Sequence, residues 1–100
     1  MGGRSSRVLD KIRQKIANEE YEVTIPHFLE EMANDNLDFA DIEMVIATGD
    51  IHHRFTKDVR GPRYEVIGRA ADGRHIAVVC RIKENGHVLL ITTYAVEWTQ

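Results

Sequence analysis

The sequence predicts a single α+β domain in which N-terminal helices pack on one face of an antiparallel meander sheet of four to five strands. Three observations lead there. Before Gly49 the apolar residues recur mainly at helical spacing, after it they alternate at the period of a strand, and the later runs are separated by hairpin dipeptides. At 100 residues, 43% of them hydrophobic and 29% charged, there is material for one core and no second. The domain is expected to span residues 1–100, with 1–6 a loose terminus or an expression remnant.

The first helix follows from Val8, Leu9, Ile12 and Ile16, one apolar stripe with Ser5 or Ser6 as cap. Glu19 and Glu20 oppose its C-terminal dipole and help to end it. Tyr21 to Thr24 alternates as a short strand able to join the later sheet. Pro26 favours a first helical turn, and Phe28, Leu29, Met32 and Ala33 give the second helix a buried face before Asp35-Asn36 breaks it. The third helix carries the clearest local signature. Asp38 caps it, Asp41 stands three residues on, Leu37 and Ile42 are placed to staple it, and Gly49 is expected to end it in the left-handed conformation.

Four strands are expected at Ile51–Thr56, Arg63–Ala70, His75–Lys83 and His87–Val96. Loop length then assigns faces, because one step in register moves every side chain to the other side of the sheet. A three-residue loop Ala71-Asp72-Gly73, with Gly73 in a bulge position, pairs Arg69 with His75 and Arg63 with Arg81, leaving Ile76, Val78, Cys80 and Ile82 to face the helices. A two-residue turn would instead bury Arg63 and Arg69, at several kcal/mol each. At Asn85-Gly86 both a two-residue turn and a three-residue loop from Glu84 are open, and Asn-Gly favours the first. The first places Tyr94 beside Arg81 and His75; the second places it in the core.

Charge is divided along the chain. The formal total is −3, yet residues 1–50 hold five Lys/Arg against eleven Asp/Glu, and residues 51–83 hold eight against three. A basic second half suits an anionic partner such as phosphate or nucleic acid, or neutralises the acidic first half. The single cysteine, Cys80, sits in an apolar run and excludes an internal disulfide, which fits a reducing, cytoplasmic location. No apolar stretch reaches the roughly 20 residues of a membrane span. The five histidines lack ligand spacing, so neither a metal nor a cofactor is expected.

Two stretches carry a family resemblance. Tyr21-Glu-Val-Thr-Ile-Pro-His-Phe-Leu-Glu-Glu-Met, then Leu37-Asp38, Asp41-Ile42 and Thr48-Gly49-Asp50-Ile51, resembles the bacterial family called domain of unknown function 4258, in whose pattern His27 matches a histidine. Arg63-Tyr-Glu-Val-Ile-Gly-Arg-Ala, Asp72-Gly-Arg-His-Ile-Ala-Val-Val and Ile91-Thr-Thr-Tyr is similar to that family and to BrnT toxins, both of which resemble the RelE/ParE toxin superfamily. The resemblance implies a RelE-like fold and the toxin of a type II toxin–antitoxin pair, cutting messenger RNA without metal. It also implies a cognate antitoxin as partner, of zinc-ribbon or helix-turn-helix type.

This chain departs from the family pattern at Glu31 and Asn34-Asp35-Asn36, where arginines are common, and at Tyr94, where BrnT-like chains tend to have arginine. Ribose-directed cleavage needs a base, an acid and cations around the phosphorane. The expected catalytic residues are His75 as acid or base, Arg69 and Arg81 as phosphate stabilisers, and Tyr94 as acid or positioning group, with Arg54, Arg63 and Lys83 binding RNA. His52 and His53 point to opposite faces, so at most one can join the site. The alternative is a non-enzymatic module that docks a protein through a sheet edge, the first helix or Trp98.

Overall fold

A computed structural model describes residues 5–97, with side chains from Arg7 onward. The expectations for Met1–Arg4, for capping by Ser5 or Ser6, and for Trp98 lie outside what is described. The backbone of Ser5 and Ser6 already belongs to the first helix.

Three helices, α1 (Ser5–Ala17), α2 (His27–Asn34) and α3 (Phe39–Thr48), surround one face of a five-stranded sheet. Its strands are β1 (Tyr21–Val23), β2 (Asp50–Phe55), β3 (Arg63–Arg69), β4 (His75–Ile82) and β5 (Val88–Ala95). In space they run β1-β5-β4-β3-β2. β2 to β5 form the expected antiparallel meander, and β1 adds to its far side parallel to β5, so the sheet is mixed.

The core lies between the helices and the sheet face carrying Tyr64, Val66, Ile76, Val78, Cys80, Val88 and Leu90. Leu9, Ile12 and Ile16 from α1, Phe28 and Met32 from α2, and Ile42, Val45 and Ile46 from α3 fill the other side. Each helix thus buries one stripe, as its spacing requires. Burial pushes the Cys80 thiol up to about 12, which leaves it an inert filler.

α3 begins with the expected capping box: Asp41 N–H donates to Asp38 at 2.9 Å and Asp38 N–H to Asp41 at 3.1 Å. Its end differs from expectation, for Gly49 has φ −93 and ψ 179, an extended conformation open to any residue. The glycine is needed there for space. A Cβ would lie 2.6 Å from the Ile67 and Val45 carbonyl oxygens, and one on Gly68 would lie 2.2 Å from Val45 O. The two glycines face each other, and without side chains they let α3 settle directly on β3.

The β3–β4 register is the expected one, with Arg69 opposite His75, Arg63 opposite Arg81 and Gly73 at φ +91 in a three-residue loop. The β4–β5 hairpin does not close through the favoured two-residue turn but through the longer loop, Glu84-Asn85-Gly86, with Lys83 N–H bonded to His87 O. That loop alone would send Tyr94 into the core. A bulge at Ile91 restores the other phase, since Cys80 pairs with Leu90 while Val79 pairs with Thr92 and Ala77 with Tyr94.

Candidate active site on the open sheet face

The face turned away from the helices presents His53 and Phe55 from β2, Arg63, Glu65 and Arg69 from β3, and His75, Ala77, Val79 and Arg81 from β4. Thr92 and Tyr94 from β5 continue it. The short side chains of Ala77 and Val79 form a trough in β4. The Tyr94 ring crosses it, because its hydroxyl donates to Glu65 Oε2 on β3. His53, paired with Glu65 in register, places Nδ1 2.7 Å from the other oxygen, Oε1.

Glu65 is therefore one carboxylate shared by a phenol and an imidazole, its side chain 10% exposed. Burial is the largest single influence and raises its pKa. The hydrogen bonds from Tyr94 and His53 outweigh it, so the carboxyl sits below its ordinary value and remains ionised. Tyr94 moves the other way. Burial, then the hydrogen bond to Glu65 and the charges of Glu65 and Glu31, push its hydroxyl up to about 12, so it keeps its proton. The side chain of His53 is 68% exposed.

Cations lie on one flank of this cluster. Arg63 is one open-face position from Glu65 and carries its guanidinium 5.7 Å over the Phe55 ring, which stacks on His53 at 5.9 Å. Arg81, opposite Arg63, has no hydrogen-bond or ion-pair partner among the described residues. The loop between β2 and β3 folds back beside them. Its Asp58 receives Arg60 N–H at 2.9 Å and the Arg60 Nε and Nη2 groups at 3.1 Å.

The expected site residues are only partly brought together. Tyr94, Arg63 and Arg81 belong to the centre and the cationic flank, where Lys83 also lies, ion-paired with Glu22 at 2.7 Å. His75 is one position beyond Ala77, on the Tyr94 side, with Arg69 opposite. The pairs Arg63/Arg81 and Arg69/His75 stand six residues apart along their strands, about 20 Å. One phosphate cannot touch both. Arg54 pairs with Tyr64 on the helix-side face and stacks over its ring at 5.9 Å, away from the other cations. His27 lies at the start of α2, 3.4 Å from Glu31.

Glu65 and the role of His53 escaped the sequence reading. The signal for Glu65 was its place two residues after Arg63 on the same strand, hence on the same face. Among the described residues no group of His, Cys, Asp or Glu is arranged to hold a metal. No helix among them is long and apolar enough to cross a membrane.

The chain belongs to the family described as Domain of unknown function (DUF4258), whose model matches residues 26–95. Among solved structures it is similar to the 1.1 Å crystal structure of the Brucella abortus ribonuclease toxin, BrnT. The TM-score is 0.52 at 20% identity, over 78% of this chain and 99% of that one, so the two share a fold. No curated protein matches the sequence.

Proposed function

We propose that this chain is the toxin of a type II toxin–antitoxin pair, a metal-independent endoribonuclease that cuts messenger RNA on the open sheet face. The carboxylate of Glu65, held between His53 and Tyr94 beside Arg63 and Arg81, carries this reading. The fold shared with a ribonuclease toxin supports it.

In the proposed mechanism Glu65 orients His53 through Nδ1–H, and Nε2 accepts the ribose 2′-hydroxyl proton. The 2′ oxygen attacks the adjacent phosphorus, Tyr94 protonates the departing 5′ oxygen, and Arg63 and Arg81 neutralise the phosphorane. Phe55 offers a face for base stacking. His75 and Arg69, about 20 Å from Arg81, hold a neighbouring stretch of the strand. The neighbouring gene then encodes the antitoxin, of zinc-ribbon or helix-turn-helix type.

Induced expression of the wild type should arrest growth and fragment messenger RNA. His53→Ala and Tyr94→Phe should each slow cleavage by about 100-fold or more while the variants still fold cooperatively. Unimpaired cleavage by both variants would sink the assignment. A second reading, a module that binds a protein partner without catalysis, is favoured by β2. Among the described residues it pairs with β3 alone, which leaves its outer edge available to a strand from a partner. Stable capture of the neighbouring gene product without RNA cleavage by either protein would favour that reading.

A further inference from the structure

The loop carrying Asp58 brings a carboxylate into the middle of the cationic flank. Asp58 closes a pocket of about 90 Å³ with Arg60, Arg63 and Arg81 over a floor of Leu89 and Ile91. Its side chain is only 13% exposed, although it belongs to a loop whose next residue, Val59, is 99% exposed. The arginine fork of Arg60 grips it through two nitrogens. Arg63 Nε is buried, lies 4.0 Å from Asp58 Oδ2, too far for a hydrogen bond, and has no other partner among the described residues. Arg81 is likewise unpartnered among them. Three guanidinium groups thus converge on a single carboxylate that satisfies one of them.

A tetrahedral phosphate group suits this pocket better than a planar carboxylate does. Its oxygens are set on a wider spread, enough to reach Arg63 Nε and Arg81 while keeping Arg60. We infer that Asp58 is a built-in stand-in for a phosphate group, occupying an anion subsite formed by Arg60, Arg63 and Arg81 that takes a phosphodiester of the RNA once the carboxylate swings out. As an RNA subsite it rests on the ribonuclease reading; as a phosphate subsite it does not. Binding of RNA then has an internal competitor, and removing the charge of Asp58 makes the protein a tighter binder.

The experiment compares wild type, Asp58→Asn and a charge control, Asp72→Asn, in the full chain. Asp72 ion-pairs with Arg74 in the β3–β4 loop, at the opposite end of those strands. The probes are inorganic phosphate, followed by the arginine Nε–H resonances, and a single-stranded RNA blocked at its 2′ positions. In Asp58→Asn, phosphate should bind at least threefold more tightly and shift Arg63 and Arg60, with no gain in Asp72→Asn. Tighter RNA binding as well would support both readings. Tighter phosphate binding with unchanged RNA binding would keep the subsite and count against the ribonuclease reading. Unchanged phosphate affinity in Asp58→Asn, or an equal gain in Asp72→Asn, would overturn the inference, whatever the RNA result.

Discussion

At the scale of residues, Glu65 and Tyr94 make opposite pH predictions. The Glu65 pKa is lowered on folding, so its contribution to stability is present above the unfolded value, about 4.3, and is lost as pH falls through the lower folded value. Tyr94 is raised from 10.0 to about 12. Its contribution is present below pH 10 and lost as pH rises through 10 toward 12. Urea unfolding at stepped pH should therefore show an alkaline loss of stability that Tyr94→Phe flattens. Following the phenolate absorbance of Glu65→Gln, we expect the Tyr94 titration to return only part of the way to 10, because burial is the larger cause. A full return would show the carboxylate to be the whole of it. The face of each β3 and β4 residue was legible from loop length and the unfavourable burial of Arg63 and Arg69. Glu65 was not, because a lone acid among alternating strand residues looks like surface until its cross-strand neighbours are known.

At the scale of elements, α2 does two jobs. One is to bury Phe28 and Met32; the other is to finish the sheet where β1 stops. β1 pairs with β5 only as far as Leu90, and beyond it the outward N–H groups of β5 turn to α2. Thr93 N–H donates to Glu31 at 3.0 Å and Ala95 N–H to Asp35 at 3.1 Å. Two acids one helical turn apart thus occupy the ladder positions that another strand would use. Glu31→Ala should lower stability by about 1 to 3 kcal/mol in urea titration, since Thr93 N–H is left in a buried position. Asp35→Ala should be milder at the exposed Ala95. A strand edge three-dimensionally adjacent to α2 was not visible from the sequence. Gly68→Ala should be far more damaging, by about 3 kcal/mol or more, because the added Cβ meets backbone of α3 and not a movable side chain.

At the scale of the whole molecule, the division of charge seen along the chain becomes a division in space. The acidic first half supplies the helices and β1, while Arg63, Arg69 and Arg81 lie on the bare face of the sheet. A net negative protein can therefore carry a cluster of arginines on one face, where the proposed ribonuclease reading puts RNA. Arg63→Gln and Arg81→Gln should each weaken binding of a single-stranded RNA and reduce the slope of log affinity against log salt by about one. An unchanged slope in both would place the RNA elsewhere. The meander and its helices were legible because their periodicities are local. The parallel partner of β1 and the bulge at Ile91 were not, since one depends on residues far along the chain and the other is a fault in a ladder whose turn was ambiguous.

The seat of β5 between β1 and β4 also sets an order of events. Of the five strands, β5 is the last that synthesis delivers, yet among the described residues β1 has no other strand partner, and Glu31 of α2 and Asp35 just past it have no β5 amides to accept from until it arrives. Tyr94 travels on that strand. A nascent chain can thus assemble β2, β3 and β4 and still lack both its completed sheet and the phenol that bonds Glu65.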